Sequence, residues 1–529
     1  MPSYQLVRSF FVLIVVSLLA ALLITAGCMG SPAALHKSSS FESNLSTITS
    51  APRYSHASWG IIIVYPATGK TLYENNADQM FVPGSTTKLF SSAAALEALG
   101  PDYRFRTPCY AMGSVDGSGK LDGNLVLVAS GDPDMGGRTL PDGTIAYTNI
   151  DHGDANALGG AVLTPTDPLA GLDDLASQVK TSGITEVSDV AIDDRLFTTT
   201  DLKKTFVISP ISINDDQIDI TITPADPGAA PSLAMRPQTA AYRLVNKATT
   251  GPAGVPLEVL ITEGPKGTIV VEGTIAAGAG PVNQTYTVKT PAAFARTLFI
   301  EALNRQEIRV TAAATGDNPS ATLPAPAAYT SARKVAGLIS PPFSEDVKLT
   351  LKVSQNLHAD TYISLIAAAS NKTGFYDGML EEGTILGSLG LDTRGVSLGD
   401  GEGGVAEDRI SPRSAAGLLT LMTKRPYAEK YVNALPILGV DGSLATSCSP
   451  DSPARGRVYA KTGTTGTFDP LNNRGILLAK SLAGYINTSH GKWLVFAIYV
   501  NNVPFEDVND MMATGDDLGS IAEAIYTYY

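Results

Sequence analysis

The sequence predicts an α+β fold in which a long β-rich insertion splits one domain into two halves. Three observations predict it. Near the start of the 529-residue chain a hairpin pattern, "WGIIIVYPATGKTLYENNAD", is followed by an apolar helical run, "VPGSTTKLFSSAAALEALG". The chain closes on strands and a helix, "GRVYAKTGTT", "SLAGYINTS", "KWLVFAIYVNN" and "DDLGSIAEAIYTYY". Between them, short β-like runs such as "GNLVLVAS", "DQIDITITPA" and "GTIVVEGTI" alternate with Gly, Pro, Asp and Asn turns, the spacing of β-rich modules. The two ends are expected to build one mixed helix–sheet core, with the middle outside it.

Taken in order, the chain opens with Arg8 and the uncharged run "SFFVLIVVSLLAALLITAGC". A charged start, an apolar stretch and a small-residue end are the layout of an export signal. The run is also long enough to stay as a membrane span. "ITAGC" is similar to a lipoprotein cleavage box, with Cys28 as the lipidated first residue, so residues 1–28 read as a signal peptide or a membrane anchor. Residues 29–51 are rich in Ser, Ala and Thr and read as a flexible tether. The first part of the split domain is expected over 52–104, with the hairpin turn at Ala67 to Gly69. An inserted domain follows over 105–195 and 265–329, with a nested β-rich module over 196–264. A Pro/Ala-rich connector, "TGDNPSATLPAPAAYTS", marks the return, and 330–529 complete the split domain.

Composition narrows the partners. A net charge of −13 and a pI near 4.9 argue against nucleic acid, which needs a basic face. After Cys28 only Cys109 and Cys448 remain, so no disulfide framework holds the chain; two separate buried thiols are expected, with a Cys109–Cys448 bridge as the alternative. Neither cysteine has a C-x-x-C spacing. His36, His56, His152 and His490 are scattered without ligand spacing, so no metal and no cofactor is expected.

Lys88 poses the chemical question, since a cation in the first turn of a helix opposes the helix dipole. Ser85 stands three residues earlier, on the same helical face. A serine hydroxyl needs an adjacent base, and a lysine amine can serve when burial and a second cation lower its pKa. Two other stretches complete a set: Ser354 and Asn356 in "VSQN" at a helix start, and Lys461, Thr462, Gly463 and Thr464 in "AKTGTT" on an apolar strand. S-x-x-K, S-x-N and K-T-G in this order are the active-site set of penicillin-binding proteins and serine β-lactamases. In that division of labour Ser85 is the nucleophile, Lys88 the general base and Ser354 the proton relay. Asn356 holds Lys88 and a substrate amide, and Lys461 disfavours charge on Lys88. Thr462 and Lys461 suit a terminal carboxylate, Gly463 leaves room for substrate backbone, and the amides of Ser85 and Thr464 suit an oxyanion.

Further stretches carry a closer resemblance. "QMFVPGSTTKLFSSAAALEALGPDYRFRT", "SGDPDM", "AIDDRLF", "ISPRSAAGLLTLM", "YAEKYVNALPILGVDGSL" and "ARGRVYAKTG" occur in this order. From about Trp59 onward the chain resembles the D-alanyl-D-alanine carboxypeptidase/endopeptidase family (peptidase family S13, class C low-molecular-mass penicillin-binding proteins). The long interval between Ser85 and Ser354 is where that family inserts extra domains. The resemblance implies a serine β-lactamase/transpeptidase-like catalytic domain and peptidoglycan stem peptides or cross-links as substrate. It further implies β-lactams as acylating inhibitors and an extracytoplasmic location.

Three departures stand out. "DGEGGVAEDRISP" has Glu402 and Val405 where the family usually has serines. Insertions occur at "MGGRTLPDGTIAYTNIDHGDANALGGAVLTPTD" and at "TFDPLNNRGILLAK" beside the substrate strand. Competing assignments are a β-lactamase-like esterase or amidase with the same residues, and a non-catalytic envelope-binding protein. A Ser354–His358–Asp360 triad is a further alternative. On a helix His358 and Asp360 point different ways, so His358 is expected to be a packing residue.

Overall fold

The computed structural model describes residues 41–202 and 206–529, so the export or anchor segment, Cys28 and tether residues 29–40 lie outside the described residues. A six-stranded sheet joins the two ends of the chain. Its order is Val458–Asp469, Arg474–Asn487, Trp493–Asn501, Ser58–Tyr65, Lys70–Asn75, with Val503–Phe505 added along the second strand. All its pairings are antiparallel, and Ile61 lies opposite Ile498 where the halves meet. Among the described residues, none of the strands between 105 and 329 enters this sheet.

Strand side chains alternate between faces, and here both faces are covered, which is why "GIIIV" reads as an unbroken apolar run. Ile62 and Val64 pack with the Lys88–Leu99 and Pro412–Met422 helices on one face. Ile61 and Ile63 pack with the C-terminal helix Val508–Tyr528 on the other.

Residues 41–49 correct the tether expectation: they form a helix, Phe41–Thr49, whose Phe41 and Leu45 are buried against that second face. Phe41 lies 5.4 Å from the Tyr73 ring and 5.5 Å from Tyr529. Phe41, Leu45 and Ile48 form an apolar stripe at i, i+4 and i+7 that a Ser/Thr-rich composition conceals.

Two expected boundaries also move. Strand Arg333–Ile339 pairs with Arg106–Val115 at the edge of a five-stranded sheet, so the chain returns to the first sheet's domain only after Ser340. The nested module cannot end at 264, because Thr268–Ala276 pairs with both Glu258–Glu263 and Arg243–Gly251. Val282–Thr287 likewise pairs with Gln217–Thr223, which carries this unit to about 287. Helix Pro291–Arg305 then packs back into the core beneath the five-stranded sheet. Cys109 and Cys448 are both free, the first buried and the second only half-buried.

Candidate active site

Ser85 sits in a 3₁₀ turn, Gly84–Thr87, that runs directly into the helix Lys88–Leu99. Residues i and i+3 eclipse in a 3₁₀ turn, so Lys88 is carried over Ser85. Gly84 has φ 54°, and a Cβ there would lie 2.9 Å from the Thr464 amide nitrogen. Only glycine takes that conformation and that contact without strain.

Lys88 is fully buried, and its Nζ lies 3.0 Å from Ser85 Oγ, 2.7 Å from Asn356 Oδ1 and 3.0 Å from the Glu402 carbonyl. The Glu402 carbonyl was not legible in the sequence, because the partner is a backbone atom that any residue supplies. The departure from serine at 402 therefore leaves this contact intact. The loop is held by Asp400, whose carboxylate accepts from the amides of Glu402, Gly403 and Gly404, and by Ser91 Oγ donating to Gly401 O.

Ser354 does not begin a helix. It ends the helix Phe343–Val353 in a left-handed conformation (φ 65°), and Gln355 caps the next helix, Asn356–Ala369, by accepting from the Leu357 amide. Lys461 Nζ donates to Ser354 Oγ at 2.9 Å and to the Thr462 carbonyl at 2.8 Å. Burial and then the charge of Lys88 push Lys461 well below the usual lysine range, while the Asp154 carboxylate opposes them. Asp154 belongs to the insertion after Pro133; burial, with help from Asp151, pushes its carboxyl up to about 6.

Thr462 Oγ1 is within 2.8 Å of Ser443 Oγ, a neighbour that sequence spacing did not single out. Thr464 Oγ1 accepts from Lys480 at 3.1 Å. At Gly463 a Cβ would overlap the Pro83 carbonyl and the Ser481 hydroxyl and lie 3.1 Å from the Ser85 amide. Gly463 thus makes room for the nucleophile turn, not only for a substrate. The eight residues singled out from the three motifs come from separate segments and meet here. The arrangement pairs a hydroxyl nucleophile with a buried amine, and a second amine with a second hydroxyl.

His358 is not a mere packing residue, nor a partner of Ser354. It is fully buried between two carboxylates, Nδ1 at 2.8 Å from Asp346 and Nε2 at 2.9 Å from Asp215. His152, expected to be isolated, reaches the same Asp215 at 2.6 Å and Asp219 at 2.7 Å. Metal-ligand spacing therefore does occur among the described residues, at Asp134, Asp215 and His358 and at Asp151, His152 and Asp215. The Arg138 guanidinium stands among those groups, 2.8 Å from Asp151 and 2.5 Å from Asp215, and supplies the positive charge. Asp360 accepts from the Gly401 amide.

The comparisons with known proteins agree among themselves. A family model described as the D-Ala-D-Ala carboxypeptidase 3 (S13) family matches residues 41–520. The chain is 28% identical over 485 residues to a D-alanyl-D-alanine carboxypeptidase of Actinomadura sp. (strain R39), covering 87% of this chain and 80% of that one. It is 23% identical to the D-alanyl-D-alanine carboxypeptidase DacB of Haemophilus influenzae, covering 82% and 83% of the two chains. The crystal structure of penicillin binding protein 4 (dacB) from Haemophilus influenzae shares the fold, with a TM-score of 0.69 at 21% identity over 92% of this chain and 100% of that one.

Proposed function

Because the chain belongs to the D-Ala-D-Ala carboxypeptidase 3 (S13) family, we infer that it is a serine carboxypeptidase and endopeptidase of peptidoglycan stem peptides and cross-links, acylated by β-lactams. The observation that carries the chemistry is the buried Lys88 amine, placed between the Ser85 hydroxyl, the Asn356 side-chain oxygen and the Glu402 carbonyl. Two of these oxygens accept the N–H groups of a neutral amine, and the third can donate to its lone pair.

Ser85 Oγ attacks the carbonyl carbon of the penultimate D-alanine, and its proton passes to Lys88 Nζ. The amides of Ser85 and Thr464 hold the oxyanion. As the C–N bond breaks, Ser354, held by Lys461, relays that proton from Lys88 to the departing amine. Water then hydrolyses the ester on Ser85. Lys461 and Thr462 hold the terminal carboxylate, a point charge beside a hydroxyl donor.

The enzyme works outside the cytoplasmic membrane. Residues 1–28 act as its export signal, and the cysteine at their end supports attachment as a lipoprotein, with an uncleaved anchor as the alternative. The mass of the N-terminal peptide from the membrane fraction decides between the two.

The test of function is incubation with a stem pentapeptide and with a cross-linked dimer, read by mass. Loss of one terminal alanine, or cleavage of the dimer, is expected, and Ser85→Ala should abolish both. A fluorescent penicillin should label the protein stoichiometrically and leave slowly. Fast turnover of the penicillin without peptide cleavage would make it a β-lactamase instead.

A further inference from the structure

We propose that Asp215, carried by the inserted region, is a positioning residue for the catalytic centre. Its carboxylate holds the Ser354-Gln355-Asn356 turn through Gln355 and His358. The proposal rests on the acylation site at Ser85 described above and adds to it a part supplied from outside the catalytic domain.

The backbone at Asp215 is the first observation. Asn214, Asp215 and Asp216 have φ of 56°, 54° and 53°, three consecutive non-glycine residues in the left-handed region, and all three are buried. Such a run is costly and persists only where the surroundings over-determine it; Asn and Asp are the residue types that tolerate it best. The turn stands at the head of strand Gln217–Thr223 in the nested unit and aims Asp215 out of that unit.

The second observation is what the carboxylate meets. On the catalytic side, Asp215 Oδ1 lies 2.9 Å from His358 Nε2, in the first turn of the helix that Asn356 begins. Asp215 Oδ2 accepts from Gln355 Nε2 at 3.4 Å, and Gln355 is the residue between Ser354 and Asn356. His358 is in turn fixed by Asp346, which also accepts from the Tyr362 hydroxyl at 2.6 Å. On the inserted side, Arg138 and His152 hold Asp215, with Asp151 and Asp219 behind them. Burial opposes charge on His358, but Asp346 and Asp215 outweigh it and push the imidazole above its ordinary range. The carboxylate is thus gripped from both sides, and the segment it touches carries Ser354, the partner of Lys461, and Asn356, the partner of Lys88.

The third observation is that the same wall is stitched to the substrate strand's flank. Asn149 Oδ1 accepts from the Gly442 amide, next to Ser443 and hence Thr462. Ile145 packs on Leu349 and Val353 of the helix that ends at Ser354.

The test is the rate of acylation by a fluorescent penicillin on the full chain, resolved into binding and the covalent step. Asp215→Asn should slow the covalent step by roughly 100-fold and change penicillin binding by less than about 3-fold, as a displaced but intact site does. Asp219→Asn is the control. It breaks an equally buried carboxylate of the same network that does not touch the Gln355 turn, and it should leave the covalent step within about 2-fold while lowering the melting temperature. If Asp215→Asn does not fold, His358→Gln, checked by a cooperative melt, should still slow the covalent step at least about 10-fold. A folded Asp215→Asn or His358→Gln acylated at the wild-type rate would overturn the proposal. So would equal losses in Asp219→Asn, which would mean a general clamp between the units. Absence of Ser85 labelling in the wild type would instead overturn the acylation site itself.

Discussion

Lys88 and Lys461 lie in one buried site, and only one of them can serve as a base while the other carries charge for a carboxylate. Lys88→Arg retains a cation that does not deprotonate, so it should fold normally and lose acylation by at least about 100-fold. Retained acylation at near wild-type rate would show that another group takes the Ser85 proton. Lys461, lowered by burial and by Lys88, gives up its charge earlier than an ordinary lysine as pH rises. Its hold on a carboxylate should therefore fail at a lower pH than an ordinary lysine's would, raising KM for carboxylate-bearing esters and leaving neutral esters unchanged. Thr462→Val should show the same preference at neutral pH, and equal losses for both ester classes would remove the carboxylate assignment. At this scale the motif residues were legible because each motif is a local spacing on one turn or strand. Ser443, the Glu402 carbonyl and Asp215 were not, since each reaches its partner from elsewhere in the chain through a contact that no local pattern encodes.

The helix Phe375–Ser388 buries Glu382, and one of its carboxyl oxygens has no hydrogen-bond partner among the described residues. Burial, and then the nearby Asp400, Asp408 and Asp360, push it up to about 8 from 4.5. The folded state therefore holds a proton between those limits that the unfolded chain releases, and stability must fall as pH rises through that window. Glu382→Gln should flatten this loss, worth on the order of a few kcal/mol, in thermal melts from pH 5 to 8. A parallel pH profile in the variant would place the proton elsewhere. The helix Phe41–Thr49 makes a different prediction, because it covers the sheet face away from Ser85. Phe41→Ala should cost about 3 kcal/mol of stability, read by chemical denaturation, and leave the acylation rate of the folded protein unchanged. That helix was hidden because, among its nine residues, five Ser, Thr and Asn and one Glu surround only three apolar positions. The strand Arg333–Ile339 was hidden for the opposite reason. It adds to a sheet whose other strands lie 140 or more residues earlier or beside a Pro-rich connector, and edge pairing leaves no mark on a single segment.

For the molecule as a whole, the split plan was legible from the order and distance of the three motifs together with the strand patterns at both ends. The contact between inserted region and catalytic centre was not, because a buried charge network spanning Arg138 to Tyr362 follows from topology and not from periodicity. The pairing of Ile61 with Ile498 has a consequence in time. More than 400 residues separate these partners, which at ordinary synthesis rates of about 5–20 residues per second is roughly 20 to 90 s of waiting. Contacts of such sequence separation form slowly and late. The nucleophile turn therefore exists as chain long before Lys461 or its supporting strands arrive. A hydrolase assembled in this way stays inert while it is being made, and gains its power to cut only when its last strands are delivered. Chains ending before Trp493 should accordingly take up no penicillin, even though they carry Ser85, Lys88, Ser354 and Lys461; labelling of such chains would show that the site matures before its sheet closes.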